Sequence, residues 1–303
     1  MTTIRRILCP LDFSRFSRHA LDQAVALARE TGAEVSVLHV FTFAPVVQSV
    51  VAGNTIPMEP MRLDASTRAA LQTDIAAFVD DVDTAGITLT TTLFEGDAVT
   101  RILDRATDWN ADLIVMGTHG RSGFERLLLG SVAEKVLRKA PCPVLTVPPR
   151  VLTADHGLAL ARILCPIDFS PASLRALEFA CRLSAPQGPG VVALNIIELF
   201  AEGAGMRDEL ALDTPDFRAE LRRTALGRLH AAIPEALRTT CPISEVVTMG
   251  KAWKEILRVA ADEDTDVIVM GVAGRSAADL LFFGSTTQHV VRQAACPVLT
   301  IRA

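Results

Sequence analysis

The sequence predicts an α/β protein made of two repeated, doubly wound domains, each around a five-stranded parallel sheet. Three observations carry that expectation. Long stretches of the first half recur in the second at a nearly constant offset. Within each copy, short apolar runs alternate with segments whose apolar residues fall at helical spacing. The apolar runs are nearly continuous rather than alternating, as strands covered on both faces require.

The repeat is explicit. Arg6-Ile-Leu-Cys-Pro-Leu-Asp-Phe-Ser14 returns as Arg162-Ile-Leu-Cys-Pro-Ile-Asp-Phe-Ser170. Asp112-Leu-Ile-Val-Met-Gly-Thr-His-Gly-Arg-Ser122 returns as Asp266-Val-Ile-Val-Met-Gly-Val-Ala-Gly-Arg-Ser276, and Cys142-Pro-Val-Leu-Thr146 as Cys296-Pro-Val-Leu-Thr300. The offset shifts by only two residues across the copy, and its period is too long for a solenoid. The expected division is a domain over 1–149, a linker over 150–160 and a second domain over 161–303.

In copy one, Ile4–Cys9 reads as the first strand. Ser14 or Ser17 can cap a helix carrying Ala20, Leu21, Ala24, Val25, Leu27 and Ala28 on one face, and Gly32 ends it. Glu34–Val40 is the second strand. Phe41 to about Ser66, with Pro45, Gly53, Pro57 and Pro60, reads as a loop. Its apolar part, Phe41–Met61, fits a lid, an oligomer contact or a passively packed loop equally well. Helices over Thr67–Ala85, Asp97–Asp108 and Gly130–Lys139 alternate with strands over Thr88–Phe94, Asp112–Met116 and Val144–Val147. Copy two has strands near Ile163–Cys165, Val191–Ile197, Ile243–Thr248, Val267–Met270 and Val298–Ile301.

Composition narrows the function. Of 303 residues, 50% are apolar and 21% charged, enough for a buried core. The net charge of −5 argues against a dedicated nucleic-acid binder, which concentrates Lys and Arg on phosphates. Six cysteines without C-x-x-C spacing suggest neither a disulfide scaffold nor a metal knuckle. Cys9, Cys142, Cys165 and Cys296 flank strands and read as small core residues. The N-terminal segment lacks a signal-peptide core, and Val35–Val51 is interrupted by His39, Pro45 and Gln48, so a soluble cytoplasmic protein is expected.

Ligands of open α/β sheets bind beyond the carboxyl ends of the strands. That rule selects Pro10-Leu11-Asp12, after the first strand, and Met116-Gly117 onward, after the fourth. The second segment reads Gly117-x2-Gly120-x9-Gly130-Ser131 and recurs as Gly271-x2-Gly274-x9-Gly284-Ser285. Glycines let backbone N–H groups approach an anion, and a helix N-terminus adds orphan donors and the positive end of its dipole. Ser131 and Ser285 can add hydroxyl donors. Neither the dinucleotide fingerprint nor the Walker loop has this spacing.

Pro-x-Asp after the first strand, Met-Gly-x2-Gly-Arg-x8-Gly-Ser after the fourth and Cys-Pro-Val-Leu before the last resemble the universal stress protein family, over nearly the whole chain. The duplication resembles its tandem type. The resemblance implies an adenine-nucleotide-hydrolase-like, Rossmann-like fold of strand order 3-2-1-4-5 and the family's ATP-binding branch. By position, Asp12 and Asp168 would meet ribose or adenine, and Val40 and Ile196 would flank the adenine. Gly117, Gly120, Arg121, Gly130 and Ser131 would hold phosphates, as would Gly271, Gly274, Arg275, Gly284 and Ser285. Pro10, Leu11, Met116, His119 and Val132, with Pro166, Ile167, Met270 and Thr286, complete the set of candidate contacts. Copy two departs where Thr118-His119 becomes Val272-Ala273, so its pocket is expected to bind more weakly.

Plainer readings stand beside these. Asp12 also suits a helix cap, and the glycines also suit tight turns. Arg121 and Arg275 also suit a solvated surface, His119 an ordinary loop, and Met116 and Met270 the core. Arg218, Arg222, Arg223 and Arg228 read as a solvated helix face. In the order 3-2-1-4-5 the last strands, Val144–Val147 and Val298–Ile301, lie at sheet edges, and open apolar edges invite aggregation. Pairing them antiparallel would join the copies as an intramolecular pseudo-dimer, with any further homo-oligomer built on other surfaces.

The function the resemblance implies is a nucleotide-dependent stress-response regulator that binds ATP, or ADP or AMP, with or without Mg²⁺, with no nucleic-acid or membrane partner. No catalytic or metal-ligating residue is assigned, because no residue of the motif is placed to activate a water. The alternatives are a slow ATP hydrolase assisted by His119 or Arg121, and an interaction scaffold with vestigial pockets.

Overall fold

A computed structural model describes residues 4–42, 50–51, 54–55, 63–119, 129–149, 160–184, 188–198, 214–272 and 284–302. The linker of the sequence reading, apart from Leu160, and most of the apolar segment 41–61 lie outside them. In copy one the elements are β1 (Arg6–Leu11), α1 (Arg15–Thr31), β2 (Glu34–Phe41), β3 (Val50–Val51), β4 (Asn54–Thr55), α2 (Ala65–Asp80), β5 (Leu89–Glu95), α3 (Ala98–Asp108), β6 (Leu113–Gly117), α4 (Ser131–Lys139) and β7 (Val144–Val147). Copy two has β8 (Arg162–Pro166), α5 (Pro171–Leu183), β9 (Gly190–Ile197), α6 (Pro215–Ala232), α7 (Glu235–Arg238), β10 (Ile243–Met249), α8 (Ala252–Asp262), β11 (Val267–Gly271), α9 (Ser285–Gln293) and β12 (Val298–Ile301).

Ten strands form one sheet in the order β10-β9-β8-β11-β12-β7-β6-β1-β2-β5. Each half is a parallel 3-2-1-4-5 sheet, and β7 and β12 join the halves antiparallel, Leu145 facing Leu299. Buried threonines reinforce the seam reciprocally. Thr146 Oγ1 donates to the carbonyl of Val298 at 3.0 Å, and Thr300 Oγ1 to that of Val144 at 3.2 Å. The two apolar cores, one on each face, both draw residues from both halves.

Helix boundaries follow the capping chemistry. Ser14 and Ser170 accept from the N–H groups of Ser17 and Ser173, and Gly32 closes α1 in the left-handed region at φ 70°. The segment read as a loop differs from that reading: it holds the short antiparallel pair β3–β4, and α2 already starts at Ala65. All six cysteines are unbridged, and burial pushes the thiols of Cys9, Cys142 and Cys296 up to about 12, as inert core residues require. Among the described residues, no helix is long and apolar enough to cross a membrane.

Two carboxylates of the repeat are structural. Asp112 Oδ2 accepts from the N–H groups of Arg5 at 2.9 Å and Arg6 at 3.0 Å, and Asp266 Oδ2 from those of Ala161 and Arg162. Each aligns the start of its copy's first strand with the fourth, which sets where both strands end.

Candidate functional site

The ends of β1 and β6 are neighbours at the carboxyl edge of copy one, as are those of β8 and β11 in copy two. Asp12 does not cap α1. That cap is Ser14, two residues on, and Asp12 Oδ1 instead accepts from the Ser14 N–H at 3.0 Å. Asp168 repeats the arrangement on Ser170 at 3.0 Å. Between Asp and Ser the chain turns through a left-handed residue, Phe13 at φ 62° and Phe169 at φ 66°. Bulky residues seldom adopt that conformation, and it holds only where surrounding contacts enforce it.

Those contacts were not legible as site chemistry in the sequence. His39, at the end of β2, packs its ring 4.5 Å from that of Phe13, with Phe78 edge-on to Phe13 at 5.8 Å. In copy two the guanidinium of Arg228 lies 4.0 Å over the Phe169 ring. Arg228 stays on the exposed face that the sequence gives it and adds this ring contact, and α6 is exposed apart from Leu229 and a few half-buried positions.

Beyond the fourth strand, the two copies keep the same backbone frame. The N–H of Thr118 donates to the carbonyl of Val147 at 3.2 Å, and that of Gly130 to the Thr118 carbonyl at 2.8 Å. Val272, Ile301 and Gly284 repeat these bonds at 2.9 and 3.0 Å. The start of α4, and of α9, is thereby tied to the end of the neighbouring strand. Thr118 itself is buried, its hydroxyl within 2.9 Å of His119 Nδ1 and 3.4 Å of the Val147 carbonyl, so it faces inward. Val272 is buried in the same place. The Thr-to-Val change therefore removes no outward donor, and of the two changes Thr118-His119 to Val272-Ala273 only that at His119 can alter the polar side chains offered outward.

Gly117 and Gly271 are glycines for a reason the spacing concealed. A Cβ on Gly117 would stand 3.0 Å from the backbone and Cβ of Phe16; on Gly271 it would stand 2.9 Å from the Cβ of Ala172. The first turn of α1 or α5 presses directly on the strand end.

Gly130 and Gly284 have ordinary backbone angles, φ −57° and −59°. They are the N-caps of α4 and α9, and neither supplies a side-chain cap. The contrast with other helices is sharp. Ser14, Asp64, Asp97, Ser170 and Thr214 cap their own helices, and Glu198 Oε1 accepts from Ala252 at the start of α8 at 2.7 Å. Of the described helices of nine residues or more, α4 and α9 are the two whose first N–H groups find no side-chain cap in any described residue. The N–H groups of Ser131, Val132 and Ala133, and of Ser285, Thr286 and Thr287, have no acceptor within their own helices. Ser131 and Ser285 are exposed.

The remaining candidates fall as follows. Leu11, Ile167 and Pro166 are buried; Pro10, Val40 and Ile196 are half-buried at strand ends. Met116 and Met270 belong to the core, each 5% exposed. His119 is half-buried, its ring centroid 5.4 Å from that of Phe16, and burial lowers its pKa. Gly120, Arg121, Gly274 and Arg275 lie outside the described residues.

The universal stress protein family model matches residues 3–148 and again 160–302. The chain belongs to the universal stress protein family. Universal stress protein MJ0531 of Methanocaldococcus jannaschii is 35% identical over 143 residues, 47% of this chain and 81% of that protein. Universal stress protein Slr1230 of Synechocystis is 25% identical over 99% of this chain and 100% of that one. A universal stress protein crystal structure from Archaeoglobus fulgidus shares the fold with a TM-score of 0.66, at 22% identity, over 99% of this chain and 97% of that one.

Proposed function

We propose that this universal stress protein binds adenine nucleotides at the carboxyl edge, most tightly in copy one, and acts as a nucleotide-dependent cytoplasmic regulator. The domains over 1–149 and 161–303 would each offer one pocket, joined by a linker over 150–160. The observation that carries the reading is that α4 and α9 take no side-chain cap from the described residues and are each held beside the end of the fourth strand, next to the first strand and the fixed Asp that follows it. N–H groups without an acceptor among the described residues and a positive dipole end favour a phosphate there. Asp12 and Asp168 then suit the ribose hydroxyls, with Val40 and Ile196 beside the base. Gly120, Arg121, Gly274 and Arg275 complete the phosphate loops by resemblance.

The test is Gly130→Asp. At φ −57° the backbone accepts an ordinary residue, and Asp is a favoured N-cap. The variant is expected to fold with unchanged or raised stability while losing ATP affinity in calorimetry, because its carboxylate occupies the phosphate's place. A folded variant that binds ATP like wild type sinks the proposal. Mass spectrometry of the heat-denatured protein is expected to release ATP, ADP or AMP.

His119 offers a separate check. Burial holds its pKa below the usual 6.5, so the ring is neutral at pH 7. A bound polyphosphate would favour the charged ring and move that pKa up. The NMR titration midpoint of His119 is expected to lie below 6.5 without nucleotide and to rise with it; a midpoint unmoved by saturating ATP removes His119 from the site.

A further inference from the structure

A buried polar side chain at the end of the second strand recurs in both copies with different chemistry and one common bond. Leu11 pairs in register with His39, and the chain leaves the sheet at Asp12. The carbonyl of Leu11 accepts from His39 Nδ1 at 2.9 Å; in copy two the carbonyl of Ile167 accepts from Asn195 Nδ2 at 2.7 Å. His39 and Asn195 are 8% and 5% exposed. Nδ1 of histidine and Nδ2 of asparagine stand the same number of bonds from Cβ, so the two residues place a donor at one point. What the copies share is the donor, not the ring.

The bonded carbonyl belongs to the peptide plane that carries the N–H of Asp12. That N–H donates to Ser17 Oγ at 3.4 Å, and the N–H of Asp168 to Ser173 Oγ at 3.4 Å. The plane is held from both sides immediately before the Asp, and Oδ1 is held immediately after it by the Ser14 N–H at 3.0 Å. Satisfying a buried carbonyl would explain one such bond. It does not explain why the clamp, the left-handed Phe and the carboxylate bond all converge on one residue in each copy.

We infer that His39 and Asn195 are positioning residues that set Asp12 and Asp168 for their ligand's hydroxyls. This role rests on the nucleotide reading above. His39 must carry its proton on Nδ1 to donate to the carbonyl, and an asparagine there does the same work without a titrating ring.

The test is ATP calorimetry in an Asp168→Ala background, which leaves copy one to report, with the folded fraction of each variant measured by circular dichroism. His39→Leu is expected to weaken ATP binding by about tenfold or more through lost pre-organisation, and His39→Asn to stay within about threefold of the parent. His39→Gln guards against misfolding: it keeps a polar donor in the site but carries it one methylene too far, so it folds and still binds weakly. A folded Leu or Gln variant with the parent's affinity overturns the role, as does an Asn variant as weak as Leu. If the protein with His39 intact takes up no adenine nucleotide, the nucleotide reading falls and this role falls with it. If that protein binds ATP and the Leu variant does so equally, only the role of His39 falls.

Discussion

Gly117→Val is expected to loosen α1 from the sheet and lower the denaturation midpoint of the whole protein. A Cβ at residue 117 already stands 3.0 Å from the carbonyl carbon, oxygen and Cβ of Phe16, which is itself 4% exposed. Backbone cannot give way as the tip of a long side chain can. Overpacking of this kind costs typically about 1–3 kcal/mol, and valine adds two further methyls to the offending carbon. Against a total stability of about 5–15 kcal/mol, that is a large fraction. The same holds at Gly271, where the added Cβ would meet Ala172 at 2.9 Å and the Ser173 nitrogen at 3.1 Å. Urea unfolding checks it: a Gly117→Val midpoint equal to wild type would mean that the helix does not press on the strand. Lost nucleotide binding in this variant reports packing, so Gly130→Asp is the cleaner probe of the phosphate position.

Much of this architecture is legible in the chain because each cue is local. Ser14, Gly32, Asp97 and Ser170 mark helix ends within a few residues of the groups they satisfy. The duplication then supplies a second reading of every element. The strand order follows from the family resemblance, and the seam from the edges that this order leaves open. What the sequence conceals is chemistry between distant residues. Asp112 bonds a strand 106 residues earlier, and nothing near it in the chain distinguishes that job from a helix cap or a ligand. His39 looks like a polar interruption in an apolar run, because its partner, the Leu11 carbonyl, is 28 residues away. Gly117 belongs to a glycine spacing that suggests phosphate contact, yet the atoms that demand glycine there lie on Phe16. Thr118 sits in that loop, yet its hydroxyl points inward to the Val147 carbonyl.

Leu145→Asp is expected to divide the protein at its seam. Leu145 and its register partner Leu299 are each 2% exposed, in one cluster with Ile4, Leu27, Leu113, Leu160 and Val267. An unpaired carboxylate there costs more than about 4 kcal/mol, because burial removes its hydration without providing a partner. The cost should ease as pH falls. Burial raises the carboxyl's folded pKa above its unfolded value, so the penalty is greatest at neutral pH and declines as the group protonates. Both cores run across the seam, so the wild-type halves should unfold together, in one transition. Weakening the seam removes that coupling, and two transitions should replace one. It also frees the edges of β7 and β12, whose only edge-to-edge partners are each other. Free apolar edges pair with other chains, so the variant should form dimers or aggregates in which β7 of one molecule meets β12 of another. Calorimetry and light scattering read both effects. A monomeric Leu145→Asp protein that melts in a single transition at the wild-type temperature would show that the two sheets do not depend on this contact.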